Sequence, residues 1–340
     1  MRRVRLPFAP GLEVEFADRD RALQQVLEWS ERGTRFPIVV FGPEGCGKTA
    51  WLKQAVELLG ERGFETVYVD PLRRDFVART DVSAIAKRLA EAAAEAIGVA
   101  QVKLATLALD AAKELIGVWG KKRVAVLVDE VFQAVGLDKA ETYVKSLLNL
   151  IEYPPASYES VVVIAATSEG ATRDRIGRHL WALLRPVWNM GRGGFEELYE
   201  QIPAPKPGIE DTWALTGGNP RALSLLHQAG WNASKAITDL ARAKGLAPSF
   251  TARWRRWLEA AVEDPDALWS ADAPEELVDE LVERNLIVYN LYPREDWLWI
   301  DQPPPERDPE LGVGRRVAWQ TPLHREAVRR ALEEVERLQL

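Results

Sequence analysis

Gly42-Pro43-Glu44-Gly45-Cys46-Gly47-Lys48-Thr49 sets three glycines, a lysine and a hydroxyl at the spacing G-x-x-x-x-G-K-[ST]. The glycines let the backbone curl so that successive N–H groups point inward at an oxyanion. Lys48 then reaches the β- and γ-phosphates of a nucleotide, and the Thr49 hydroxyl is placed to hold Mg²⁺. Pro43, Glu44, Cys46 and Ala50 complete the expected cradle. Its flanks are those the chemistry requires. Pro37-Ile38-Val39-Val40-Phe41 reads as a short buried strand, and Thr49 to Leu59 spaces its apolar residues as a helix does. The helix N-terminus adds the positive end of its dipole. A nucleoside triphosphate is the predicted ligand.

Hydrolysis needs an acid at the end of a neighbouring strand. Arg123-Val124-Ala125-Val126-Leu127-Val128-Asp129-Glu130 runs five apolar residues into two carboxylates, the pattern of a central parallel strand with acids at its C-terminal edge. Asp129 is expected to bind Mg²⁺ through water, as in other P-loop NTPases. Glu130 is expected to orient or deprotonate the attacking water. With Lys48 these form the expected catalytic set. A third apolar run, Val161 to Ala166, ends in Thr167-Ser168-Glu169-Gly170. Ser168 or Thr167 is a candidate sensor of the γ-phosphate, although Ser and Thr at strand ends also cap helices.

These residues need a scaffold. Strands expected at 37–41, 65–69, 123–128 and 160–166 alternate with helices at 49–60, 81–97, 101–117 and 138–152. Such alternation predicts an α/β fold, a parallel sheet with helices on both faces. The Ala-rich helical pair before the acidic strand is longer than a minimal crossover; it is either a partner surface or extra packing, and packing is the favoured expectation.

The 340 residues are enough for two or three domains. No apolar stretch approaches the roughly 20 residues that cross a bilayer. Met1 to Pro7 carries charge with no apolar run after it, so it does not read as a secretory signal. Cys46 is the single cysteine. The cytoplasm is the expected compartment, with no membrane partner. Net charge is −7, and residues 251–340 carry 12 Lys and Arg against 20 Asp and Glu. A strongly basic nucleic-acid footprint is absent.

Downstream, Thr216-Gly217-Gly218-Asn219-Pro220-Arg221-Ala222-Leu223 is a glycine turn into a helix opened by Pro220, where a missing N–H costs nothing. Taken with the loop, the acid pair and the polar strand end, this segment makes the chain resemble archaeal P-loop ATPases of the ASCE class, related to STAND and AAA+ proteins. The resemblance implies ATP or ADP with Mg²⁺ and a nucleotide-driven switch. It implies three parts: an ATPase core over 1–195 with an adenine-side segment at 1–34, a helical lid over 196–250, and a winged helix over 251–340. In it Gly218 and Pro220 lie near the nucleotide, Arg221 resembles a second phosphate sensor, and Phe16 or Arg19 touches the adenine. A finger reaching a neighbouring subunit in a homo-oligomer would come from Arg173, Arg175, Arg178, Arg185 or Arg192, which the sequence leaves equivalent.

Two other functions compete. A winged helix could read DNA, as in AAA+ initiators. However, the candidate recognition helix Pro274 to Arg284 is heavily acidic and would be repelled by phosphates. The arginines at 315, 316, 325, 329 and 330, and those at 253, 255 and 256, could each form a local basic patch, but pairing with the abundant carboxylates is the favoured expectation. A slowly hydrolysing or non-hydrolysing interaction scaffold is the third reading. Short strands are expected at Leu286–Tyr289, Trp297–Ile300 and Arg316–Gln320. Trp254, Trp257, Trp297, Trp299 and Trp319 are expected as core or interface anchors.

Overall fold

The computed structural model describes residues 2–95, 98–168 and 170–339. Glu169 of the polar strand end and residues 96–97 of the expected 81–97 helix lie outside the described residues. Contacts sort the chain into two units. One gathers 1–4, 19–41 and 48–186; the other gathers 5–18, 42–47 and 187–340.

The second unit contains an N-terminal hairpin, β1 (Arg5–Ala9) and β2 (Leu12–Glu15), turned at Gly11. The first unit follows in the chain with α1 (Asp20–Arg32), β3 (Ile38–Phe41), α2 (Lys48–Glu61), β4 (Glu65–Asp70), β5 (Asp75–Arg79), α3 (Ser83–Ala93), α4 (Val99–Gly117), β6 (Arg123–Asp129), α5 (Val131–Val135), α6 (Leu137–Glu152), β7 (Ser160–Thr167), α7 (Gly170–Ile176) and β8 (Leu183–Pro186). Its six strands form one sheet in the order β5-β4-β6-β7-β3-β8.

Hydrophobic patterning sets that order. Val124 to Asp129 and Ser160 to Thr167 are buried without interruption, as strands covered on both faces must be. β6 sits between β4 and β7, pairing Val126 with Val67 and with Val163, both in parallel. β3 pairs in parallel with β7 and β8. Only the edge strand β5 runs antiparallel, against β4. The expected parallel sheet is therefore present, extended by two edge strands. α3 and α4 put Ile85, Leu89, Leu104, Ala108 and Leu115 into the main core, so the Ala-rich pair packs. Because the central strands are parallel, β3, β4, β6 and β7 bring their C-terminal residues to one edge, where open sheets of this kind place ligands.

The second unit continues with α8 (Arg192–Glu200), α9 (Ile209–Thr216), α10 (Pro220–Gln228), α11 (Ala233–Ala243), α12 (Pro248–Arg253), α13 (Arg255–Glu263), α14 (Glu275–Glu283), β9 (Ile287–Val288), β10 (Ala318–Trp319) and α15 (Pro322–Gln339). Leu226, Leu240, Leu258, Leu281, Trp319 and Leu323 meet in one apolar core. β9 and β10 pair antiparallel over two residues each. The strand expected at Trp297–Ile300 does not form. Asp296–Leu298 is a 3₁₀ turn, and Trp299 Nε1 donates back to the Pro293 carbonyl at 2.7 Å, folding the segment on itself. Trp299 and Trp319 are core residues, whereas Trp297 is exposed.

Candidate functional site

In the first unit, Lys48 opens α2 and is buried, with Thr49 and Ala50 beside it in the first turn. The Thr49 hydroxyl donates to Asp129 Oδ2 at 2.5 Å. Tyr68 Oη also donates to that oxygen, at 3.3 Å. Asp129 is fully buried, yet its Oδ1 has no hydrogen-bond partner. Burial, with the neighbouring Glu130 charge second, pushes the Asp129 carboxyl up to about 7. A buried carboxylate with an orphan oxygen, next to a hydroxyl whose proton it already accepts, is a donor set that suits a hard cation. Mg²⁺ commonly takes one or two protein oxygens and fills its octahedron with water and phosphate, so the residues fit it.

Glu130 stands at φ 45°, a left-handed residue where the chain leaves β6 for α5. Its N–H bonds the Ala166 carbonyl at 2.9 Å. Its carboxylate accepts two bonds from the end of β7, from the Ser168 hydroxyl at 2.7 Å and the Ser168 N–H at 3.1 Å. Ser168 thus holds Glu130 from the adjacent strand end. Lys48, Thr49, Asp129, Glu130 and Ser168 share one edge of the sheet.

Three residues that the sequence reading did not single out join them. Asp70 ends β4 as Asp129 ends β6, and burial raises its carboxyl despite the pull of Arg73. Arg73 Nη1 reaches both Asp70 Oδ2, at 3.1 Å, and Thr49 Oγ1, at 3.2 Å. Tyr68 is held neutral, its hydroxyl pushed up first by burial and then by the Asp129 charge. The signal for Asp70 was present: Thr66-Val67-Tyr68-Val69-Asp70 is another buried run ending in an acid.

In the second unit, Gly42 to Gly47 form the curl. Gly45 (φ 75°) and Gly47 (φ 104°) take conformations that side chains rarely adopt, and the Cys46 N–H bonds the Pro43 carbonyl. A Cβ on Gly42 would meet the Val187 carbonyl oxygen at 2.1 Å, and one on Gly45 would meet the Arg221 Cβ at 2.0 Å. Arg221 donates its N–H to the Gly45 carbonyl at 3.3 Å. Glu44 is held at every polar group: its N–H by Gln320 Oε1 at 2.7 Å, its carbonyl by Asn219 Nδ2 at 3.0 Å, and its carboxylate by Lys244 at 2.8 Å. Asn219 also caps α10 by accepting from the Ala222 N–H, and Pro220 fills the first helical position. Gly218 (φ 78°) packs a Cα where any Cβ would strike the Met190 carbonyl. The glycine turn, Pro220 and Arg221 therefore come together with the loop residues Glu44 and Gly45.

Residues 16–226 match the family of ATPase domains found predominantly in Archaea. The chain belongs to this archaeal ATPase family. A 52-residue stretch, 14% of the chain, is 46% identical to the chromosomal replication initiator protein DnaA 1 of Chlamydia muridarum and spans 11% of that protein. Among solved structures, a Walker-type ATPase of Pyrococcus abyssi is 16% identical, with 92% of this chain and 96% of that one covered and a TM-score of 0.45. AMPPCP-bound DnaA from Aquifex aeolicus is 14% identical over 76% and 81% of the two chains, at a TM-score of 0.36. Drosophila ORC bound to DNA is 14% identical over 93% and 87%, at 0.38.

The remaining expected site residues of this archaeal ATPase-family chain are placed as follows. Phe16 is buried in the second unit, and Arg19 is buried at the left-handed N-cap of α1 in the first. Of the five candidate finger arginines, Arg192 is engaged by Glu196 and Glu210, and Arg173 stacks over Phe41. No described helix is long and apolar enough to cross a membrane.

Proposed function

We propose that this protein is a Mg²⁺-dependent ATPase that acts as a nucleotide-driven switch in the cytoplasm. The observation that carries the reading is the 2.5 Å Thr49–Asp129 bond beside an Asp129 oxygen with no partner. Thr49 and Asp129 would hold the metal, which when bound neutralises charge on the β- and γ-phosphate oxygens. Loop amides from Gly45 to Ala50 cradle the phosphates, and Lys48 supplies a fixed positive charge. Glu130, oriented by Ser168, takes a proton from water as its oxygen attacks the γ-phosphorus. The bond from that phosphorus to the bridging oxygen breaks, and ADP leaves as the product.

Arg221 would read the terminal phosphate. Its N–H bonds the Gly45 carbonyl, and its guanidinium has no partner among the described residues. Gly218 and Pro220 set its helix, and Phe16 or Arg19 is proposed for the adenine. The division into a core at 1–195, a lid at 196–250 and a winged helix at 251–340 belongs to the same proposal, with a protein partner or a second copy as what the switch acts on.

The test is ATP turnover in the wild type and Glu130→Gln, together with ATP binding in Lys48→Ala. Wild-type turnover that Glu130→Gln abolishes while keeping binding is expected. Equal inactivity of both, with binding intact, would move the protein to the scaffold reading. The short DnaA-like stretch motivates an initiator-like alternative. Against it, Arg253, Arg255, Arg329 and Arg330 pair with Glu276, Glu259, Glu326 and Glu333. Salt-sensitive DNA binding near about 50 mM salt would revive it.

A further inference from the structure

Arg73 lies outside every motif named above, yet it touches the oxygen expected to hold the metal. A threonine hydroxyl has one proton and two lone pairs. The Thr49 proton goes to Asp129, and Arg73 Nη1 takes one lone pair at 3.2 Å. The same nitrogen is 3.1 Å from Asp70 Oδ2. Behind these contacts lie Asp70 and Asp129, both buried, and Glu130. One guanidinium therefore supplies positive charge to an acid cluster that the metal would otherwise neutralise.

Arg73 and a divalent ion cannot both use Thr49 in this way. Mg²⁺ sits about 2.0–2.1 Å from its ligand oxygens, so the two cations would stand within a few ångströms of each other. Like charges so close repel strongly at the effective dielectric of a protein surface. The arginine must yield. Its main chain stays in place, because the Arg73 N–H is tied to Asp70 Oδ1 at 3.1 Å and the Arg74 N–H to the Pro71 carbonyl. Its side chain is 64% exposed and has room to swing. Asp70 is the anion it already touches, and a phosphate held by the same metal would offer its free donors a second one.

We infer that Arg73 is a phosphate ligand supplied within the chain. It is seated in the metal's place on Thr49 until Mg²⁺ enters, and it then turns to the terminal phosphate of ATP. Such an arginine adds a planar donor fork to the charge that develops on that phosphate. It also raises the Mg²⁺ concentration at which the site fills. The inference rests on the nucleotide reading above.

The experiment titrates ATP and ADP, with MgCl₂ from zero to saturation, against wild type, Arg73→Ala and Arg73→Lys, and records the melting temperature of each without nucleotide. In Arg73→Ala at saturating Mg²⁺, ATP affinity is expected to fall about ten-fold while ADP affinity stays within about two-fold. The Mg²⁺ midpoint for ATP binding is expected to move to lower concentration, since the resident competitor is gone. Arg73→Lys, which keeps charge but not the fork, is expected to fall between the two. An ATP-to-ADP affinity ratio within about two-fold of wild type, or a Mg²⁺ midpoint that does not fall, would overturn the inference. A merely structural Arg73 would lower the melting temperature and leave both readouts alone. Failure of the wild type to bind ATP at all would sink the parent reading instead.

Discussion

Thr49 and Asp129, 80 residues apart, are joined by a 2.5 Å hydrogen bond that ties the first turn of α2 to the end of β6. The bond fixes which Asp129 oxygen is spent and which is left over. Asp129→Asn keeps an acceptor for Thr49 and removes the charge. We predict that it stabilises the nucleotide-free protein by about 1–3 kcal/mol at pH 8, because a buried carboxylate no longer has to ionise. The same change should lower ATP turnover by on the order of 100-fold or more. Thermal denaturation and phosphate release measure the two effects. A destabilised Asp129→Asn would show that its charge is compensated by its neighbours in the nucleotide-free protein.

The raised Asp129 carboxyl gives a pH dependence with a definite sign. Its folded pKa of about 7 lies above the ordinary value of 3.8. Between those values the folded chain binds more protons than the unfolded one, so stability falls as pH rises. The contribution is fully present below about pH 4 and lost as pH passes through about 7. At the proposed metal site Mg²⁺ would compete with that proton, and Mg²⁺-dependent ATP affinity should therefore rise from pH 6 to pH 8 with release of close to one proton. Calorimetry in buffers of different ionisation enthalpy reads the proton count. Asp129→Asn should flatten both trends, leaving only what Asp70 and other groups add.

The central strands were legible because β3, β6 and β7 are covered on both faces and must be continuously apolar. The edge strands were not. Asp75-Phe76-Val77-Ala78-Arg79 and Leu183-Leu184-Arg185-Pro186 are short and only partly buried, so nothing in their composition separates them from loop. Glycine spacing marked the curl at Gly45 and Gly47, and the acid ending β6 marked Asp129. The partners that hold the loop could not be read this way. Gln320 reaches Glu44 across 276 residues, and no local pattern encodes a pairing of that length. Arg73 escaped for a related reason: an exposed arginine in a turn looks like any other until its neighbours are known.

That long-range pair is itself testable. Gln320 is buried, its Oε1 accepts from the Glu44 N–H and its Nε2 donates to the Ile287 carbonyl at 3.3 Å. Gln320→Leu strands the loop amide without an acceptor, a loss of about 1–3 kcal/mol. Because the loop is then less well held, ATP and ADP should both weaken by about 3–10-fold, with their ratio unchanged. Faster hydrogen exchange at the Glu44 amide should accompany the loss. Unaltered exchange there would mean that the loop keeps its shape without Gln320.

Substitutions at Glu130 and Ser168 should separate turnover from binding. Glu130→Gln keeps an acceptor for the Ser168 hydroxyl and removes the proposed base, so turnover should fall by about 10²–10⁴-fold with ATP affinity little changed. Ser168→Ala removes the 2.7 Å hydroxyl bond but leaves the 3.1 Å backbone bond to Glu130. The carboxylate is then half-held, and a fall in turnover of about ten-fold is expected, with binding again near wild type. Single-turnover phosphate release beside equilibrium binding distinguishes this from a Ser168 that contacts phosphate directly, which would weaken ATP against ADP.

Gly45 and Gly47 both sit at positive φ in the same loop, yet their surroundings differ, and that difference predicts different failures. A Cβ on Gly47 meets nothing within 4 Å, so Gly47→Ala carries only the conformational cost of its φ of 104°, about 1–2 kcal/mol. A Cβ on Gly45 would lie 2.0 Å from the Arg221 Cβ and 3.1 Å from Asn219 Oδ1. Neither is the free end of a flexible side chain, and Asn219 is also fixed by the Ala222 N–H and the Glu44 carbonyl. Gly45→Ala must therefore push the start of α10 away from the loop, at about 2–4 kcal/mol beyond the φ strain. Both variants should lose nucleotide affinity, but only Gly45→Ala should lower the melting temperature steeply and loosen the α10 amides in hydrogen exchange. Equal melting temperatures for the two would show that the loop and Arg221 are not in contact in solution.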